Sequence, residues 1–168
     1  MKWGMFGLGL LIGIILCFLF SNLTYKIETV FSPNDGYKII ELIDSAEKSI
    51  DIEVYVFTSR DVIEALERAK NRGVTIRIIM EKQVIGGQNS KIHSELTAKH
   101  FVVKYASKLF ELTHSKIIII DGKIVLVGSH NLSNSALYEN REASVIIYDQ
   151  LTVNKFIQLF ENDWILAF

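Results

Sequence analysis

Four side chains between Thr113 and Asn131, in the stretch T-H-S-K-I-I-I-I-D-G-K-I-V-L-V-G-S-H-N, have the types and spacing to act together on a phosphate. His114 and Lys116 stand two apart at the mouth of Ile117 to Ile120, a continuous β-branched run that reads as a strand covered on both sides. Strand alternation puts both on one face. Asp121-Gly122 is a hairpin signal, and the returning strand, Ile124 to Val127, delivers Ser129 and Asn131 beside the first pair, again two apart on a shared face. The imidazole is a nucleophile or an acid/base, the ammonium a fixed cation, and the hydroxyl and carboxamide are neutral donors for oxygens on which charge builds. Taken singly, each has a plain reading as surface decoration at a strand end. The grouping carries the chemistry. By the same alternation His130 faces away from Ser129 and Asn131 and reads as structural.

The elements that must position these groups are legible along the chain. Tyr25 to Phe31 alternates as a first strand, and Ser32-Pro33-Asn34-Asp35-Gly36 is a turn opening a helix to about Lys48. Ser49 to Phe57 is a strand; Ser59 is the expected N-cap of a helix to Arg72, with Gly73 at its C-terminal cap. Val74 to Met80 is the next strand. Glu81 to Lys91, with Gly86-Gly87, reads as a flexible loop, followed by a helix over Ser90 to Lys99 and a short strand over Phe101 to Lys104. Tyr105 to Phe110 is a loop near the substrate entrance. After the His-Lys stretch, Ser133 to Asn140 is irregular or a single turn, Ala143 to Tyr148 a strand and Leu151 to Leu166 an amphipathic helix. Strands alternating with helices predict an α/β fold, a mixed sheet covered by helices on both faces.

His114-x-Lys116-x-x-x-x-Asp121, followed by Gly128-Ser129-x-Asn131 and by Asn140-Arg141-Glu142, resembles the signature of the phospholipase D superfamily, the "HKD" phosphodiesterases. The resemblance extends more loosely over residues 26 to 168. It is strongest to the small members with one motif, the bacterial Nuc-type endonucleases and the membrane-anchored mitochondrial phospholipase D (Zucchini) group. It implies the phospholipase D-like fold and six site residues: His114, Lys116, Asp121, Ser129, Asn131 and Glu142. His114 would attack phosphorus to form a covalent phosphohistidine, with Glu142 holding its tautomer. Lys116, Ser129 and Asn131 would bind the phosphate oxygens, and Asp121 would be a structural or charge-balancing member, its bland alternative being a turn residue before Gly122. No metal and no cofactor are required. The leaving oxygen needs a second acid, which family members take from a second motif; His93, His100 and His130 lack the following Lys and Asp. A homodimer with one shared site, each subunit giving one His114, is therefore expected.

Composition limits the alternatives. With 168 residues, 49% of them hydrophobic, the chain has material for one globular domain and an extra segment. That segment is Met1 to Leu23, uncharged from Trp3 to Phe20 and long enough as a helix to cross a bilayer core. It lacks the small residues of a cleavage site, so residues 1–23 are expected to be an uncleaved single-pass anchor in place of a signal peptide, and 24–168 the catalytic domain. Lys2 favours an extracytoplasmic catalytic domain; Lys26 on the other flank opposes it. The single cysteine, Cys17, cannot form an internal disulfide, and the absence of a C-x-x-C pair argues against structural zinc.

The net charge of −1 argues against a strongly basic nucleic-acid binder, yet residues 82 to 123 carry seven lysines against three acids. Positive charge thus surrounds the expected site, which suits any phosphodiester. Lys99, Phe101, Lys104, Tyr105, Lys108 and Phe110 interleave cations with aromatics in the manner of a single-strand nucleic-acid groove, or of side chains at a lipid interface. Two enzymatic readings follow: a membrane-tethered endonuclease on single-stranded DNA or RNA, and a phospholipase D or cardiolipin hydrolase whose anchor brings it to headgroups. Transfer to an alcohol in place of water is open to the same intermediate. A catalytically idle binding module on the same fold would show a damaged signature, and this one is intact.

Overall fold

An isoleucine run can be buried on both faces only as a central strand, and Lys116–Ile120 is the middle strand of a seven-stranded sheet. A computed structural model of the chain describes residues 27–84 and 86–168. The stretch Met1 to Leu23 and the join at residues 24–26 lie outside the described residues. Among the described residues no helix is long and apolar enough to cross a membrane. In chain order the elements are β1 (Ile27–Phe31), α1 (Tyr37–Asp44), β2 (Ser49–Val54), α2 (Arg60–Asn71), β3 (Thr75–Met80), α3 (Gln88–Ala98), β4 (Val102–Tyr105), β5 (Lys116–Ile120), β6 (Ile124–Gly128), α4 (Asn134–Tyr138), β7 (Ala143–Ile147) and α5 (Gln150–Leu166). The sheet order is β1-β7-β6-β5-β2-β3-β4.

β2, β3 and β4 run parallel, and every other neighbouring pair is antiparallel, so the sheet is mixed as expected. These pairings bring the starts of β5 and β7 to the same edge as the ends of the other five strands. That edge carries the candidate residues. The opposite edge holds the β5–β6 turn and the first residue of β1, Ile27, which is level with Ile147, Val125 and Ile119 across three pairings.

Alternation distributes the core. Ile118 and Ile120 join the larger apolar cluster with Ile39, Ile43, Val62, Leu66, Ile92 and Leu137 of α1 to α4; Ile117 and Ile119 join a smaller one with Val153 and Phe160 of α5. Each such buried side chain contributes about 2 kcal/mol. Three local expectations are refined. Ser133 to Asn140 contains α4, capped by the Ser133 hydroxyl accepting from the Ala136 N–H at 3.2 Å. Gly87, at φ 64°, ends the loop directly before α3. Ser59 precedes α2 as read, but its hydroxyl makes no capping bond and is buried without a partner among the described residues.

The face under α5 holds two carboxyl groups of β2. Asp51 pairs with Arg77, its register partner on β3, at 2.7 and 3.0 Å, and Arg77 continues to Glu161 of α5 at 2.6 Å, its guanidinium lying over Phe160 and Trp164. Glu53, only 1% exposed, has no such cation among the described residues. Burial pushes its carboxyl up to about 7; the Ser115 side chain opposes the rise and Asp163 of α5 adds to it. The folded chain therefore holds a proton that the unfolded chain releases near pH 4.5. Stability should fall as pH rises from there to about 7 and then level off, because the native state binds more protons across that window. Melting temperatures between pH 5 and pH 8 check this. Glu53→Gln, which cannot ionise, should flatten that part of the profile.

Candidate active site

Three strand ends build the site. The backbone leading into β5 is pinned on both sides: the Thr113 N–H donates to the buried Glu81 carboxylate at 2.8 Å, and the Tyr55 N–H, just beyond β2, donates to the Ser115 carbonyl at 3.0 Å. Between these ties the His114 ring stands exposed, its centroid 4.5 Å from that of Tyr55 at a 54° tilt. Lys116 is buried. Its ammonium donates to the His114 carbonyl at 2.7 Å and lies 5.3 Å from the centre of the Tyr55 ring. Burial pushes its pKa below the ordinary lysine value, and the charge of Glu142 pulls it back up. An exposed imidazole beside a sequestered ammonium can attack and hold a phosphate.

The end of β6 supplies the rest. Gly128 is required by close approach: a Cβ there would stand 2.4 Å from the Ser144 Cα on β7. The Ser129 N–H donates to the Ala143 carbonyl at 3.0 Å, and its hydroxyl accepts from the Ala143 N–H at 3.0 Å while donating to Glu142 Oε2. The other Glu142 oxygen accepts from the Asn140 amide at 3.2 Å. Asn131 Oδ1 accepts from the Val56 N–H at 3.2 Å, which turns its Nδ2 donors the other way. His114, Lys116, Ser129, Asn131 and Glu142 thus share one edge of the sheet.

A family model described as "Cardiolipin synthase, PLD-like domain" matches residues 39–164, a span that contains all of these groups. The chain belongs to the phospholipase D superfamily. It is a phosphodiesterase of that superfamily, a hydrolase. It is 34% identical over 139 residues to "Phospholipase D" of Rickettsia conorii, covering 82% of this chain and 68% of the relative. To "Mitochondrial cardiolipin hydrolase" of Chlamydomonas reinhardtii it is 28% identical over 137 residues, covering 82% of this chain and 60% of the relative. Among solved structures, Nuc, a phospholipase D family member from Salmonella typhimurium, superposes with a TM-score of 0.79 at 26% identity, covering 86% of this chain and 97% of that one.

Asp121, expected as a structural or charge-balancing member or a turn residue, sits in the β5–β6 turn. Asp121 is at the opposite end of β5 from His114. Its carboxylate accepts from the N–H groups of Ser49 at 2.9 Å, Lys48 at 2.7 Å and Glu47 at 3.0 Å, and its φ of 55° with 63° at Gly122 makes the hairpin turn. Burial would raise its pKa, but the three N–H donors and Lys123 outweigh that and hold it below the ordinary value. Asp121 ties the β2 entrance to the turn. Asp121→Ala should cost about 2 kcal/mol through the lost acceptors and the left-handed backbone, with turnover within about threefold of wild type, as measured by denaturant unfolding beside an activity assay. Glu142, expected to hold the His114 tautomer, bonds Ser129 and Asn140 instead.

His130 is buried, between Ser32 Oγ at 2.7 Å from Nε2 and Ser144 Oγ at 2.7 Å from Nδ1. Because the Ser32 hydroxyl donates to the Leu137 carbonyl at 2.8 Å, it must accept from His130 Nε2–H, and a neutral ring then accepts the Ser144 hydroxyl on Nδ1. Burial lowers its pKa, against the pull of Glu142, in keeping with that state. The basic and aromatic stripe does not line one groove. Lys104 donates to the Trp164 and Ala167 carbonyls, Phe101 is buried, Lys99 pairs with Glu67, and Tyr105 stacks on His93 at 4.0 Å. No cluster of metal-ligating side chains stands among the described residues.

Three residues of the site were missed from sequence: Tyr55, Glu81 and Asn89. The fully buried Asn89 amide accepts from the Phe57 N–H at 2.9 Å and donates to the Tyr55 carbonyl at 2.7 Å and the Glu81 carbonyl at 2.8 Å. It fastens the ends of β2 and β3 under the His114 segment. The only local signal was an asparagine shortly after a glycine pair.

Proposed function

We propose that this chain is a metal-independent phosphodiesterase that works through a phosphohistidine on His114, as a homodimer with one shared site, on single-stranded nucleic acid, tethered by its N-terminal stretch. The observation that carries the reading is the pairing of an exposed His114 ring with a buried Lys116 ammonium anchored to the same residue's carbonyl. An imidazole nitrogen attacks phosphorus, the P–O ester bond breaks, and the leaving oxygen takes a proton from the His114 imidazolium of the second subunit. Water then attacks phosphorus and breaks the P–N bond, returning its proton to that second ring. Lys116 neutralises charge on the equatorial oxygens and the Asn131 amide donates to them, while Glu142 orients the Ser129 hydroxyl at the same edge.

The lipid reading also has an observation in its favour. Leu109, Phe110 and Leu112, in the segment leading into His114, are 72%, 50% and 42% exposed, and relatives carry the names phospholipase D and cardiolipin hydrolase. The test is hydrolysis by the full chain in excess EDTA, offered single-stranded DNA or RNA and phospholipid vesicles in parallel. Nucleic-acid cleavage supports the nuclease. Release of phosphatidic acid alone replaces it with the lipase, and loss of all activity in EDTA overturns the metal-free mechanism.

A further inference from the structure

We propose that Tyr55 is a positioning residue of this hydrolase, its aromatic ring being the platform that holds His114 and Lys116 in their mutual arrangement; this rests on the reading of His114 and Lys116 given above. Three observations converge on it. First, the ring touches both groups, the imidazole at 4.5 Å between centroids and the ammonium at 5.3 Å from the ring centre. Second, the His114 ring is exposed, and no protein hydrogen bond orients it among the described residues, so its packing on Tyr55 is what limits its rotamers. Third, the Tyr55 backbone is held from both directions, its N–H on the Ser115 carbonyl at 3.0 Å and its carbonyl on the Asn89 amide at 2.7 Å.

That double tie sets the platform by the very residue that lies between His114 and Lys116. A cation over an aromatic face is attracted by the ring quadrupole, so the platform also suits an ammonium drawn out of water. The phenol oxygen has no partner among the described hydrogen bonds, and the work is assigned to the ring.

The test is steady-state hydrolysis of bis-p-nitrophenyl phosphate by the full chain, comparing wild type, Tyr55→Phe, Tyr55→Leu and His114→Ala, each checked for folding by its melting curve. Tyr55→Phe keeps the ring and should stay within about threefold of wild type. Tyr55→Leu should lose about 10- to 100-fold in kcat, with KM changed far less, because a misdirected nucleophile is a transition-state defect. If Tyr55→Leu melts below the assay temperature, Tyr55→Met, long and ringless, is read by the same criteria. Wild-type kcat in the ringless variant, with His114→Ala inactive, overturns the platform and leaves the site standing. An equal loss in Tyr55→Phe moves the role to the hydroxyl and also overturns it. Full activity in His114→Ala overturns both the platform and the reading beneath it.

Discussion

His114→Ala should lose turnover by about four orders of magnitude or more, the scale seen when a nucleophile is removed from a catalytic unit. The ring is exposed and bonded to no backbone group among the described residues, so its removal takes away little of the fold, and the melting temperature should stay close to wild type. The same variant tests the dimer. If each site needs two imidazoles, one to attack and one to protonate the leaving oxygen, a mixed dimer is dead. An equal mixture of wild-type and His114→Ala chains, allowed to exchange subunits, should then show about a quarter of the activity of the same total of wild type. Chains that work alone would show about a half.

Lys116→Met should lower kcat by about 100- to 1000-fold, the magnitude expected for removing one fixed donor from a developing oxyanion. Its effect on stability should be opposite in sense. The ammonium is drawn out of water, which disfavours its charge, and the His114 carbonyl and the Tyr55 ring offset only part of that. An apolar chain of similar length relieves that burden, so the variant should melt at or above the wild-type temperature. Lys116→Arg is not a conservative alternative, because a planar guanidinium does not fit a space shaped for a compact ammonium. A Lys116→Met protein that is both inactive and unfolded would mean the charge is structural, and would remove it from the mechanism.

Much of this was legible because it is local. Four consecutive isoleucines admit little but a strand covered twice, and Asp121-Gly122 tolerates the left-handed backbone that a tight hairpin requires. His114 with Lys116 and Ser129 with Asn131 were placed by alternation alone, and alternation also turned His130 inward. What stayed hidden depends on which strand lies beside β5. Nothing near His114 announces that β2 does, so Tyr55 could not be seen against the imidazole, nor Asn89 beneath it. Glu142 was expected to reach His114, but β6 and β7 pair closely at Gly128, which delivers the carboxylate to Ser129 first. The interleaved lysines and aromatics failed as a groove for the same reason that the His-Lys pair succeeded. A strand divides neighbours between two faces, and Lys104 and Tyr105 went separate ways, to the end of α5 and to His93.

The direction of β1 sets the protein's stance. Ile27 is level with Ile119, and His114 lies five residues beyond that level, about 17 Å along the strands. Six residues, Ser21 to Lys26, separate the uncharged run ending at Phe20 from Ile27, a reach of at most roughly 25 Å. If a bilayer holds that run, the point of attachment to the sheet is at its hairpin edge, and the imidazole stands at the far end of the strands from it. A chain so tethered would turn its chemistry toward whatever lies beyond that far edge, polymers in the water or a second surface brought opposite.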